Sequence, residues 1–97
     1  MQERRAYWRV NIQDKISCQI IDEPDRQYPV TDISPAGISF SADREFPIAM
    51  LLQLRIILKT SSFVEKNEVT AKVNNCRRLQ DKFIIGCSYV RRNEPKA

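Results

Sequence analysis

Apolar and polar residues alternate along most of this chain with the period of two that marks half-buried β-strands. Ile16-Ser17-Cys18-Gln19-Ile20 is the first such run, and the Glu23-Pro24-Asp25 cluster ends it in a turn. Val30 to Ile33 opens a second extended run. Gly37-Ile38-Ser39-Phe40-Ser41 resumes the alternation with Ile38 and Phe40 on one face, and Pro35 and Gly37 mark the bend between the two. From Leu52 to Leu58 the residues Leu52, Leu54, Ile56 and Leu58 share a face while Gln53 and Arg55 point away. A helix competes there, because leucine is a good helix former, but Ile56-Ile57-Leu58-Lys59-Thr60 favours a strand. Val69, Ala71 and Val73 then alternate with Thr70, Lys72 and Asn74, and Phe83, Ile85, Cys87 and Tyr89 with Ile84, Gly86, Ser88 and Val90. The last run is apolar on much of both faces, the mark of a central or covered strand.

These elements predict an all-β fold: about six short strands, turn signals at similar spacing and no helical period, hence an antiparallel barrel or sandwich. A barrel removes the exposed edges that so small a sheet would otherwise present. No repeat, low-complexity tract or linker divides the chain, so residues 1–97 read as a single domain, with an arm over 1–10, a barrel over 11–90 and a frayed polar tail over 91–97. No C-terminal helix is evident after Val90.

Length agrees with one domain. At 97 residues a single core buries roughly 60 to 70% of the surface its unfolded form would expose, enough for modest independent stability. No apolar run is long enough to span a bilayer and no secretory leader is recognisable, so a cytoplasmic protein with no direct membrane insertion is expected. Cys18, Cys76 and Cys87 are an odd number of cysteines without C-x-x-C spacing, and the chain has no histidine. A zinc site is therefore not expected, and the three thiols read as buried and free. Without histidine, a nucleophile motif or paired carboxylates, nothing is available for proton transfer, so no catalytic residue is assigned and no cofactor is expected.

The net charge of +4, from 16 basic and 12 acidic residues, leans towards anionic partners, and clustering says more than the total. Basic residues gather at Arg4, Arg5 and Arg9, at Arg77 and Arg78, and at Arg91 and Arg92. A protein that tracks a nucleic-acid backbone carries a broader basic stripe, whereas small clusters suit a small polyanion. The first cluster, Arg4-Arg5-Ala6-Tyr7-Trp8-Arg9, combines guanidinium forks that fit phosphate or a purine edge with two aromatic rings. Such basic ends are often only solvated. The bend Asp32-Ile33-Ser34-Pro35-Ala36-Gly37 is likewise built from ordinary turn formers: Asp and Ser oxygens accept from nearby amides, Pro presets a dihedral and Gly takes conformations that a side chain would forbid. Yet a carboxylate at a strand end also complements the adjacent N–H donors of guanine, and an Arg fork complements its two Hoogsteen acceptors. One ligand would satisfy both groups.

Together these stretches carry a resemblance. Arg5-Ala6-Tyr7-Trp8-Arg9 matches R-x-x-x-R, Asp32 to Gly37 matches D-x-S-x-x-G, and 22 residues separate Arg9 from Asp32. Each motif is weak alone, but the pair in this order resembles the signature of PilZ domains. The likeness extends over nearly the whole chain, through Gly-Ile-Ser-Phe after the second motif and the closing Phe-Ile-Ile-Gly-Cys-Ser-Tyr.

The resemblance implies a six-stranded antiparallel β-barrel that binds the bacterial second messenger cyclic di-GMP and acts as a receptor, not an enzyme. It implies that Arg5 and Arg9 grip phosphates and guanine edges, that Asp32 and Ser34 read guanine, and that Gly37 lets the backbone pass close by. An arginine in the place of Arg4 resembles the arrangement that favours an intercalated ligand dimer. Tyr7 and Trp8 fall at variable positions of the motif, and one of them is expected to pack on the barrel. A mobile arm that closes over the ligand would change the surface shown to an unidentified protein partner. Ordering it costs about 1 to 2 kcal/mol per residue, against about 1.5 to 3 kcal/mol returned by each charge-assisted hydrogen bond, so several must form together. Two readings compete: a small basic barrel that binds single-stranded nucleic acid, and a ligand-free protein interaction module. Against the first, Phe40, Phe83 and Tyr89 fall on the expected core faces, leaving no aromatic stripe for stacking. Against the second, degenerate members of the family usually lose the arginines, and this chain keeps them.

Overall fold

A computed structural model describes residues 15–90. Six strands, β1 (Ile16–Ile20), β2 (Tyr28–Ile33), β3 (Gly37–Ala42), β4 (Leu51–Lys59), β5 (Val64–Leu79) and β6 (Lys82–Tyr89), close into an antiparallel barrel in the order β1-β2-β3-β6-β5-β4. No α-helix occurs among the described residues. The expected barrel is therefore present, and the Leu52–Leu58 run is strand, as its β-branched residues require.

Alternation predicts the interior well. Ile16, Cys18 and Ile20 of β1, Ile38 and Phe40 of β3, and Leu52, Leu54 and Ile56 of β4 all enter one core with Ala71, Val73, Ile85 and Cys87. Phe83 and Tyr89 are half-buried and pack against it. At one end Tyr28, Phe40 and Phe46 form an aromatic trio with ring centroids 5.4 to 6.2 Å apart. The Arg44 guanidinium lies 4.6 Å from the Phe46 ring centroid and donates to both Glu23 carboxylate oxygens, at 2.7 and 2.8 Å. Tyr28 Oη accepts from Arg44 at 3.3 Å and donates to Glu23 at 3.4 Å. The polar groups at this end therefore largely bond to one another, although the buried Arg44 Nε has no hydrogen-bond partner.

Three expectations are corrected. β2 begins at Tyr28 and not at Val30, because Tyr28 turns its ring into the core. β5 runs from Val64 to Leu79, far beyond the Val69–Val73 run, because it changes partners. Its first half pairs with β4 as far as Leu51↔Lys72, and its second half continues along β6 to Leu79↔Lys82. Residues 64–68 are exposed, and Glu65, Lys66 and Glu68 put charge on a segment whose ladder partner is β4 alone, a common protection for an edge. Lastly, Cys18 and Cys87 are buried but Cys76 is only half-buried, because it lies on β5 beyond the reach of β4. Burial pushes the Cys18 thiol up to about 12, with the nearby Cys87 adding to the effect, and pushes Cys87 to about 11. Both stay protonated at neutral pH and serve as packing.

Candidate ligand-binding site

Strand periodicity alone would bury Asp32, because Val30, two residues earlier, faces the core opposite Phe40. A register shift between Val30 and Asp32 prevents this. One extra residue in β2 advances the phase, so that Asp32 pairs with Ser39 on the outer face and Ile33 turns inward opposite Ile38. The same device recurs in β5. Val73 faces the core opposite Cys87, the register shifts between Val73 and Asn75, Asn75 lies opposite Gly86, and Cys76 returns to the core side opposite Ile85. Two bulges on separate strands thus aim polar side chains to the outside of the same part of the barrel.

Between these strands lies a cleft of about 300 Å³ lined by Asp32, Ser34, Ser39, Asn74, Asn75 and Ser88, with Gly37 and Gly86 also on its wall. The Ser34 amide donates to the Gly37 carbonyl at 2.9 Å, and the Ser34 hydroxyl accepts from the Ala36 amide at 3.2 Å. A hydroxyl that accepts one bond still has a proton to donate, so its structural duty leaves it able to meet a ligand acceptor. The Ala36 carbonyl accepts from the Tyr89 amide at 3.0 Å, tying the bend to β6. Asn74 donates through Nδ2 to Ser88 Oγ at 3.0 Å.

Both glycines serve close approach. A Cβ on Gly37 would strike the Cys87 carbonyl oxygen, and one on Gly86 would lie 2.8 Å from Asn75 Oδ1. The expectation that Gly37 takes a conformation closed to other residues is corrected, since no glycine here has positive φ. Space against β6 is what selects it. Left-handed backbone occurs instead at Ala49 (φ 75°), in the turn before β4, and at Gln80 (φ 60°), in the two-residue connection of β5 to β6.

Of the expected site residues, Asp32, Ser34 and Gly37 come together on one cleft, while Arg4, Arg5 and Arg9 lie outside the described residues, as do Tyr7 and Trp8. Sequence reasoning missed Ser39, Asn74, Asn75, Gly86 and Ser88. Two signals marked Asn74, Asn75 and Gly86 as irregular without placing them beside the motif: Asn74-Asn75 interrupts the alternation of β5, and a glycine inside a strand marks a bulge or a close approach. Among the described residues, no group of three or more His, Cys, Asp or Glu side chains is arranged to hold a metal ion, and no helix is long and apolar enough to cross a membrane.

Comparison with curated proteins gives no match. The family model of the PilZ domain matches residues 3–96, which takes in both motifs, all six strands and the cleft between the bulges. The chain belongs to the PilZ domain family, a family of binding modules known as receptors for cyclic di-GMP.

Proposed function

We propose that this protein is a cytoplasmic receptor for cyclic di-GMP, without catalytic activity of its own, that signals by changing what it shows to a protein partner. Asp32 accepts from the guanine N–H edge, Ser34 donates to the ligand, and Gly37 keeps the wall low enough for the ring to approach. Arg5 and Arg9 hold phosphates and the Hoogsteen edge with charge-assisted forks. Arg4 extends this grip to a second, intercalated ligand molecule.

The observation that carries this reading is the bulge at β2, which turns Asp32 out of the core and onto the same cleft as Ser34 and Gly37. The nucleic-acid reading gains nothing comparable. The large aromatic exposed among the described residues is Phe63, at 52% and away from the cleft, so no row of stacking platforms is present there.

Titration calorimetry with cyclic di-GMP, beside an oligonucleotide control, tests the proposal. Arg5→Ala, Arg9→Ala and Asp32→Ala are each expected to weaken binding by more than about tenfold, or roughly 1.4 kcal/mol, consistent with the loss of a hydrogen bond to a charged group. The melting temperature without ligand should hardly move. Arg4→Ala should lower the ratio from two ligands per chain towards one. Undiminished binding by all three of the first variants rejects the assignment.

A further inference from the structure

A second cavity lies away from the motif cleft, on the outer surface of β2, β1, β4 and β5. It has a volume of about 840 Å³ and is lined by Lys15, Ser17, Gln27, Pro29, Ile57, Lys59 and Lys66, among others. Its origin is in the pairing. β1 and β2 are matched at only two positions, Ser17↔Pro29 and Cys18↔Tyr28, and Pro29 brings no N–H to the ladder. The sheet is thinly joined there, and a groove results.

The chemistry of the groove is one-sided. Lys15, Lys59 and Lys66 contribute three ammonium groups, none of which forms an ion pair among the described residues, and no described carboxylate is among the lining side chains. One row further along the same face Arg55 is neutralised by Glu68 at 2.7 Å. Aliphatic side chains share the lining, the exposed Val64 among them. Ile57 lies between Ser17 and Lys66 in register, outside the core cluster, and yet is only 9% exposed. Pro29 sits on the far side of Ser17. Gln27 accepts from Ser17 Oγ at 3.0 Å through its side-chain oxygen, which leaves its N–H₂ to donate.

We infer that this groove docks an extended acidic segment of a partner protein, with aliphatic side chains against the exposed Pro29 and Val64 and flanking carboxylates on Lys15, Lys59 and Lys66. Its span fits. Four strands at about 4.8 Å spacing measure roughly 14 Å across, the length of about four extended residues. Unpaired lysines around an aliphatic floor complement alternating acidic and apolar side chains. A nucleic acid would want exposed rings or arginine forks, and the lining has no arginine and only the buried ring of Tyr28. A lipid surface is flat, whereas this site is concave. The inference does not depend on the cyclic di-GMP reading of the opposite cleft.

The experiment is an NMR titration of the full chain with the capped peptide Asp-Leu-Asp-Leu-Asp, its Asn-Leu-Asn-Leu-Asn counterpart, oligo-dT and vesicles containing phosphatidylglycerol. The acidic peptide is expected to move Ser17, Gln27, Ile57 and Lys66 and to leave Asp32 and Ser34 in place. The K59E/K66E variant should bind it about tenfold more weakly while keeping its affinity for cyclic di-GMP, and binding should fall as salt rises from about 0.05 to about 0.3 M. Equal binding of the neutral peptide, tighter binding of oligo-dT or vesicles, or shifts that avoid the groove would each overturn the inference. So would protection of the groove by self-association, seen as a dimer in sedimentation without peptide.

Discussion

The aromatic end of the barrel and the cleft between the bulges use similar residue types to opposite ends. At the aromatic end Glu23, Arg44 and Tyr28 bond to one another above Phe40 and Phe46, so the bonds they make, those of Arg44 all through one nitrogen, hold the turn after β1 against the segment after β3. In the cleft Asp32, Ser34, Asn75 and Ser88 are gathered by two breaks in strand register, and Ser34 retains a proton to donate. A polar cluster becomes a candidate site when its groups converge on open space, not when they are merely close together. The contrast also predicts how the two regions separate stability from binding.

Phe40→Ala is expected to have the largest effect. It removes a fully buried ring from the aromatic trio and should cost about 3 to 5 kcal/mol in chemical denaturation, while the folded fraction keeps its affinity for cyclic di-GMP. Loss of affinity in the folded fraction would show that the two regions are coupled. Gly37→Ala probes the place where the separation should fail. Its new methyl meets the backbone carbonyl of Cys87, which cannot step aside as a side chain can, so about 1 to 3 kcal/mol of stability and the ligand affinity should fall together.

The smallest effect belongs to Glu23. The Arg44 guanidinium, by hydrogen bonding first and by its charge as well, holds this carboxyl below the ordinary value of 4.5. A depressed carboxylate contributes stability above its unfolded value and loses it as the pH falls through the folded one. Melting temperature should therefore drop between about pH 5 and about pH 3, and Glu23→Gln should flatten part of that drop. The exposed position of the pair keeps the effect modest. An identical acid profile in the variant would assign the loss to other carboxylates.

Most of the barrel was legible because its strands face a core on one side and water on the other. The Ile16–Ile20 and Leu52–Leu58 patterns map directly onto β1 and β4. Legibility failed where the period slips. The bulge at Asn74-Asn75 cut β5 short in the reading, and the exposed, charged stretch from Val64 to Glu68 has no apolar face to betray a strand. The motif Asp32 to Gly37 could be read because its residues are neighbours in sequence. Ser39, Asn75 and Ser88 could not, since only the registers of β2 with β3, of β3 with β6 and of β6 with β5 bring them beside it.

The two-pair junction of β1 with β2 has a dynamic consequence. Opening a barrel locally costs least where the fewest backbone bonds must break, so this junction is the natural site of sub-global opening, well below the free energy of complete unfolding. Amides on its two sides should exchange with solvent sooner than those along the nine-pair ladder of β4 and β5. A segment lying across the groove would act as a splint over the weakest joint of the wall, and β2 carries that joint at Pro29 and the bulge at Asp32 on the same six residues.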